Sequence, residues 1–184
     1  MKKLIKIKFS SLYEMSSGLS STPEQAGHGS PFLSFSCVFN NYFVPETLIE
    51  SMNTSALEQE SYSIKKGDIF LTRTSETLDE LAISCVAIDD YPHATFSGFV
   101  KRLRPISTND VYPQYIGYYL RNNFFRKTML NNAVMTLRAS FNEDIFSYLN
   151  LYLPDIDTQK KIGNLTYLIY SKKRLNNKQN KILF

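Results

Sequence analysis

Cysteine and histidine are scarce in this chain of 184 residues, which has only Cys37, Cys85, His28 and His93. The cysteines lie singly inside apolar runs, without the CxxC spacing of a zinc or redox site. The histidines are equally isolated from each other and from the cysteines. We therefore expect two buried free thiols, no disulfide and no metal site.

Long apolar runs are also missing. None approaches the length of a membrane span, and residues 1–8 interleave lysines with apolar residues, unlike a secretory signal or an anchor. Hydrophobic residues make up 43% of the chain and charged residues 21%, a balance typical of a globular protein and not of a disordered one. We expect a cytoplasmic protein with one core plus an appendage.

Acidic residues are absent from the C-terminal segment. Residues 159–184 contain seven Lys or Arg, whereas the rest of the chain has 14 basic residues against all 17 acidic ones. Residues 9–60 hold six Glu and no Lys or Arg, and the balance reverses over 61–138, with 10 basic against 7 acidic residues. Residues 61–138 would supply the phosphate contacts to a polyanion. A solvated surface of mixed charge explains the same counts.

Motifs of catalysis are missing as well. The chain has no Asn-Pro-Pro-Tyr-like or Asp-Pro-Pro-Tyr-like methyltransferase motif, no glycine-rich cofactor loop, no phosphate loop and no convincing nuclease triplet. A stand-alone nuclease or methyltransferase is therefore a weak alternative, and we expect a protein without catalytic residues.

The patterns that are present predict an α+β fold with a small sheet and short helices, followed by a long C-terminal helix. Aromatic and branched residues predict strands, and four-residue spacing of Ile116, Leu120 and Phe124 predicts a buried helix face. The expected strands are 4–9, 32–39, 69–74, 81–88, 96–106 and 149–153; the expected helices are 113–130, 143–146 and one after Pro154. Residues 16–31, rich in Ser, Gly, Thr and Pro, are expected to form an exposed loop. We place the domain at 1–153 and the terminal helix at 154–184.

The terminal helix has Asp155 or Asp157 to cap its first turn. Its apolar stripe is thin, because polar Lys172 and Gln179 interrupt it, and an isolated helix of this kind is marginal in water. We expect it to pair with a second helix and not to bury itself on its own domain. The residues expected at that interface are Ile162, Leu165, Leu168, Ile169, Leu175 and Ile182.

Several segments together resemble a known family. They are Lys65 to Thr74 (KKGDIFLTRT), Ser97 to Pro105 (SGFVKRLRP), Pro113 to Arg121 (PQYIGYYLR), Leu137 to Ser140 (LRAS), Leu153-Pro154, and Gln159 to Ile162 (QKKI). Their order and spacing resemble those of a type I restriction-modification specificity subunit, although Thr158 stands where that family generally has Glu. The resemblance covers most of the chain from residue 65 onward, and it covers one half of such a subunit.

The resemblance implies a target recognition domain followed by a helix that packs antiparallel against a partner helix, so that two domains read a split site on double-stranded DNA. It implies a methyltransferase subunit and a restriction subunit as partners, with S-adenosylmethionine, ATP and Mg only on those partners. For a half-size chain we expect a homodimer through the terminal helix. A second reading is a truncated remnant that docks the methyltransferase without reading DNA.

Hydroxyl and guanidinium groups are what DNA bases and phosphates accept, so they mark the candidate DNA contacts. The first group is Thr72, Arg73, Thr74, Ser75, Lys101, Arg102, Arg104, Arg138 and Ser140. Arg73 is either buried beside a carboxylate or placed at a strand end toward a ligand, and alternation puts Arg102 and Arg104 on one strand face. A residue that is shared by proteins reading different DNA sequences holds the fold or a phosphate more often than it selects a base. We therefore add residues 16–31 and Ser34, Ser36, Asn40 and Asn41 as candidates for base choice.

Overall fold

The computed structural model describes residues 4–75, 77, 80–132 and 139–183. Within them, the strands are β1 (Ile5–Lys8), β2 (Tyr13–Ser17), β3 (Ala26–Leu33), β4 (Glu50–Met52), β5 (Ile69–Thr72), β6 (Thr74–Ser75), β7 (Ser84–Val86), β8 (Thr95–Phe96), β9 (Val100–Pro105), β10 (Ala139–Ser140) and β11 (Asn150–Leu153). The helices are α1 (Phe9–Leu12), α2 (Phe35–Asn40), α3 (Ala56–Ser61), α4 (Pro113–Tyr119), α5 (Asn123–Asn132), α6 (Glu143–Tyr148) and α7 (Ile156–Leu183), with a 3-10 turn at Pro23–Gln25. The fold is α+β with a long C-terminal helix, as predicted.

A four-stranded antiparallel sheet in the order β2-β9-β5-β7 forms the centre of the domain. Both of its faces are covered. Ile69 and Leu71 of β5 join a core cluster with α1, α4, α5 and α6, while Phe70 between them joins a second cluster with Val38 and Phe96. Every residue of β5 is therefore buried, which is why its first three residues are all apolar where a half-exposed strand would alternate.

Smaller sheets flank this centre. Strands β4, β3 and β8 form one of them, and β1 pairs antiparallel with β11, as expected for an edge strand at 4–9. Strand β6 pairs with β10 and thereby joins the end of β5 to the chain before α6. Residues 16–31 are mainly exposed but are not one loop, because β2 extends to Ser17 and β3 starts at Ala26.

The strand predicted over 32–39 is wrong beyond Leu33, because the chain turns there into α2. The side chain of Ser34 accepts a hydrogen bond from the Cys37 backbone N–H at 3.2 Å and so caps the helix. Val38 then points into the core. A local cap and one buried contact outweigh the strand preference of Phe, Val and Cys in this short run.

The helix predicted over 113–130 is broken into α4 and α5 between Leu120 and Asn122. The Asn122 side chain accepts a hydrogen bond from the Phe125 backbone N–H at 2.8 Å and starts the second helix. The break rotates the buried face by one position. Phe125 is 2% exposed, whereas Phe124, which the spacing placed in the core, is 57% exposed.

Helix α7 begins where predicted, and Asp155 is its cap, with the Thr158 backbone N–H donating to Asp155 Oδ1 at 2.9 Å. However, its N-terminal half packs against the domain. The Tyr112 N–H donates to Gln159 Oε1 at 3.1 Å, and the Tyr118 hydroxyl donates to the Thr166 carbonyl at 2.9 Å. The rings of Tyr167 and Tyr170 pack against Phe43. The expectation that α7 does not bury itself on its own domain is thus wrong for its N-terminal half.

Both cysteines are free, and Cys85 is buried while Cys37 is partly buried. Burial, and then the charge of Glu50, raise the pKa of the Cys37 thiol to about 11, so the unreactive protonated form prevails near neutral pH. None of the helices in the described ranges combines the length and the apolar content that a bilayer crossing requires.

Candidate nucleic-acid interface

Two glycines let the end of β2 approach the turn between β8 and β9 closely. A Cβ on Gly18 would lie 2.1 Å from the Ser97 carbonyl oxygen, so only glycine fits there. The Leu19 N–H donates to the Phe96 carbonyl at 2.9 Å, and the Gly98 N–H donates to the Leu19 carbonyl at 2.7 Å. The turn is thus held firmly, and it presents the Phe99 side chain with 68% of its surface exposed.

Arg73 lies beside this turn at the end of β5. Its backbone N–H donates to the Phe99 carbonyl at 2.9 Å, and its carbonyl accepts from the Phe141 N–H at 2.8 Å. Its side chain is exposed, with Nη1 3.4 Å from the Gly98 carbonyl oxygen. Of the two alternatives for Arg73, the structure therefore selects the strand end, where the guanidinium faces outward.

Hydroxyl groups lie next to Arg73 and Phe99. Thr74 pairs with Ser140 across β6 and β10, and the Ser17 hydroxyl accepts a hydrogen bond from Lys101 Nζ at 3.0 Å. We call the group formed by Ser17, Arg73, Thr74, Phe99 and Ser140 the Phe99 rim. It brings together a rigid backbone, an exposed guanidinium, hydroxyls and an exposed aromatic ring, which is a set that can contact phosphates and base edges.

The carboxylate of Glu143 borders the rim. A hydrogen bond from its own backbone N–H, and then one from Lys101, lower the pKa of Glu143, and the charge of Arg73 acts in the same direction. Lys101 Nζ lies 3.1 Å from Glu143 Oε1. Lys101 is thus paired with Glu143, so Arg73 is the exposed cation of the rim.

Thr72 and Lys101, predicted as DNA contacts, are directed into the protein. The Thr72 hydroxyl is buried, donates to the Glu80 carbonyl at 2.9 Å and accepts from the Ile83 N–H at 2.9 Å. Lys101 is 6% exposed and bonds Ser17 and Glu143. The structure therefore gives both residues a structural role in place of the predicted DNA contact, because their polar groups already have protein partners.

Arg102 and Arg104 do share a face of β9, as predicted, but that face is covered. Arg104 donates two hydrogen bonds to the fully buried Asp68 carboxylate, at 2.9 and 2.7 Å. Arg102 donates to the Ser63 carbonyl at 2.7 Å and lies 5.2 Å from the Phe96 ring centroid. Burial, and then the charge of Arg104, lower the pKa of Arg102. Both arginines thus tie the segment before β5 to the sheet and are not surface contacts for DNA.

The candidates for base choice at 34–41 lie on α2 and its two caps. Ser34 is buried and donates to the Glu50 carboxylate, and Asn41 donates to the Cys37 carbonyl at 2.8 Å. Asn40 donates to the Ser36 carbonyl at 2.9 Å, and both of these side chains are exposed. Ser34 and Asn41 therefore support α2, while Ser36 and Asn40 stay candidates.

Some predicted contacts lie outside the described residues. Arg138 is one of them, and so are the side chains of Ser75 and Ile182. Sequence reasoning missed Phe99, whereas Ser17 belongs to the predicted segment 16–31. Glycine inside the predicted 96–106 strand was the available signal for Phe99, since an isolated glycine in a strand pattern often marks an interruption with close backbone approach.

A second exposed surface lies on α7. Its apolar side chains point away from the domain, opposite the docked tyrosines, and are 44 to 67% exposed. We call this set the α7 seam: Ile162, Leu165, Leu168, Ile169 and Leu175. Exposed apolar residues at three- and four-residue steps along one helix indicate a helix-packing surface.

Comparisons with known proteins agree with this architecture. The chain is 29% identical over 160 residues to the EcoKI type I restriction enzyme specificity subunit of Escherichia coli K12, an alignment that covers 85% of this chain and 34% of that subunit. The structure superposes on the type I restriction-modification S subunit from M. genitalium with a TM-score of 0.63 at 12% identity, covering 96% of this chain and 41% of the other. The HsdS subunit from Thermoanaerobacter tengcongensis gives 0.60 at 13% identity, covering 92% and 37%.

These solved structures share the fold, and this chain spans between about one third and two fifths of the length of each of these relatives. The family described as the type I restriction modification DNA specificity domain matches residues 19–183, which is nearly the whole chain. The chain therefore belongs to the type I restriction-modification DNA specificity family.

Proposed function

We propose that this chain is a sequence-specific DNA-reading unit of a type I restriction-modification system. The observation that carries the proposal is the Phe99 rim: in a member of a DNA specificity family, it presents an exposed guanidinium, hydroxyls and an aromatic ring on a firmly hydrogen-bonded backbone. The target recognition domain would be residues 1–153, and the helix from residue 154 onward would connect this domain to partner subunits.

The rim residues would divide the work of recognition by their chemistry. Arg73 can donate two hydrogen bonds to guanine O6 and N7, or bind a phosphate. Thr74, Ser140 and Ser17 offer hydroxyls to phosphates or base edges. Phe99 offers an apolar surface to a thymine methyl group or an unstacked base step. Ser36 and Asn40 on α2 are the remaining candidates for base choice.

Catalysis would lie on other subunits. We propose a methyltransferase subunit and a restriction subunit as partners, which would hold S-adenosylmethionine, ATP and Mg. This chain would only recognise the DNA sequence, and it would work in the cytoplasm. The α7 seam would pack antiparallel against a second copy of α7. A homodimer built in this way would read a roughly symmetric split site.

The direct test is selection of bound oligonucleotides by the purified chain, alone and mixed with its methyltransferase subunit. A reader enriches particular sequences, and its affinity falls steeply with salt. Arg73→Ala should weaken binding by about 1–3 kcal/mol if Arg73 reads a base, and should lower the salt slope by about one if it binds a phosphate. Lys127→Ala, an exposed cation on α5, is the matched control.

Two outcomes would contradict the proposal. Capture of the methyltransferase without any sequence-dependent DNA binding would favour the alternative, a protein-interaction remnant. Transfer of a labelled methyl group from S-adenosylmethionine by the isolated chain would instead revive a catalytic function.

A further inference from the structure

A cavity of about 280 Å³ lies at the opposite end of β5 from the Phe99 rim, where the turn before β5 meets the first residues of α4 and α7. Its walls include Tyr13, Lys66, Gly67, Pro105, Val111 and Lys160. The DNA reading proposed above uses none of these residues. A cavity of this size is at the lower limit of small-molecule sites.

The wall of this cavity contains a buried polar group. Tyr13 is 2% exposed, and its ring packs edge-on against Phe9. Among the residues that the structure describes, none forms a hydrogen bond with the Tyr13 hydroxyl, and this hydroxyl is not among their fully buried polar atoms that lack a partner. It therefore keeps access to the cavity, where a bound molecule with an acceptor oxygen can take the place of water.

The charge around the cavity favours an anion. Lys66 and Lys160 line it, and both are exposed. The nearby Asp68 carboxylate is already paired with Arg104 at 2.7 Å, so it does not cancel the two ammonium groups. Pro105 and Val111 add apolar wall to the same space. The cavity thus combines an anion-binding side, an unpaired hydroxyl and an apolar wall.

We propose that this cavity binds a small organic anion, with a phosphate or carboxylate group on an apolar body. The anionic group lies between Lys66 and Lys160 and accepts a hydrogen bond from the Tyr13 hydroxyl, while the apolar body contacts Pro105 and Val111. This site is separate from the Phe99 rim and does not depend on DNA binding.

The experiment uses the full chain labelled with ¹⁵N and follows the amide signals of Gly67 and Val111. Four probes are titrated: phenyl phosphate, benzoate, inorganic phosphate and benzyl alcohol. We expect phenyl phosphate or benzoate to bind with a dissociation constant of about 1 mM or below. Inorganic phosphate and benzyl alcohol, which each lack one half of the recognised chemistry, should bind much more weakly. The better of the first two probes identifies the anionic group.

Variants test the named contacts. Tyr13→Phe removes only the hydroxyl and keeps the ring packing, and it should weaken binding by about fivefold, the effect of one lost hydrogen bond. Lys66→Gln and Lys160→Gln alter exposed residues and should each weaken binding, whereas Lys127→Gln should not. The proposal is overturned if neither anion gives a saturable shift, if benzyl alcohol binds equally well, or if the Tyr13 and lysine variants keep the affinity of the unaltered chain.

Discussion

At the level of single residues, the role of each cationic side chain in the middle of the chain depends on the group that it contacts. Lys101, Arg102 and Arg104 belong to one strand of a sheet that is covered on both faces, so each needs an acceptor inside the protein and has one. Arg73 is one position beyond the end of β5, where the covering elements stop, and it is exposed. Residue type alone does not separate these two groups.

Replacing Arg104 should destabilise the fold. Arg104→Ala leaves the buried Asp68 carboxylate without its bidentate partner, which costs about 3 kcal/mol, near the lower end of the range for a broken buried pair because Arg104 is 28% exposed. Urea unfolding measures this loss. The neighbouring exposed Lys65→Ala is the control, and an equal effect of the two variants would contradict the structural role of Arg104.

Replacing Phe99 should weaken DNA binding and leave folding intact. Its side chain is 68% exposed, so Phe99→Ala removes little core, whereas burial of the ring against DNA is worth up to about 2 kcal/mol. Fluorescence anisotropy on the selected oligonucleotide measures the change. Phe124→Ala, which alters a phenylalanine that is 57% exposed on α5, should keep full affinity. Equal binding by the Phe99 variant would remove that residue from the interface.

At the level of secondary structure, helix α7 has one face packed on the domain and one exposed face. One face is docked through Gln159, Tyr167 and Tyr170, and the other carries the α7 seam. Docking is close because α7 has no side chain at Gly163, where a Cβ would lie 2.7 Å from the Tyr115 backbone nitrogen. The start of the helix is thus held to α4, and its orientation relative to the domain is set there.

Gly163→Ala should destabilise the protein although alanine favours helices. Helix propensity alone predicts a gain of about 1 kcal/mol, but the added methyl group meets backbone and must separate α4 from α7, at a cost of about 1–3 kcal/mol. We expect a net loss in thermal denaturation. At the exposed position Asn177 the same change to alanine should be neutral or stabilising. A more stable Gly163 variant would show that the two helices tolerate separation.

For the whole molecule, the two ends of β5 lead to different surfaces. The Phe99 rim follows Thr72, whereas the cavity and the start of α7 lie beside Gly67 at the other end. The proposed DNA-reading surface and the proposed assembly surface therefore lie on separate parts of the protein. A change in the α7 seam can alter assembly without touching the rim.

Charge introduced into the α7 seam should abolish the proposed dimer. Leu168→Glu combined with Leu175→Glu alters side chains that are 67 and 60% exposed, so the domain should keep its stability. Light scattering after gel filtration should show a dimer for the unaltered chain and a monomer for the double variant. Asn177→Glu, at an exposed position of α7 outside the predicted stripe, is the charge control and should stay a dimer. A monomer at high concentration for the unaltered chain would refute the dimer but not the family.

Truncation tests the same idea only if it spares the docked half of α7. Deletion from residue 158 onward would also remove Gln159, Tyr167 and Tyr170, which pack on the domain. We therefore expect removal of the helix from Leu175 onward to retain a folded domain. Removal from residue 158 should expose the Phe43 ring and lower stability.

The sequence by itself determined the features that depend on a few neighbouring residues: the short helix from residue 143, the start of the terminal helix after Pro154, the α+β class and the family resemblance. Only the tertiary structure decided which faces are covered. It turned Arg102 and Arg104 inward, made residues 35–40 a helix, docked the first half of α7 and exposed Phe99 beside Arg73. The physical reason is that caps and turns are local interactions, whereas burial depends on which distant segments pack against a surface.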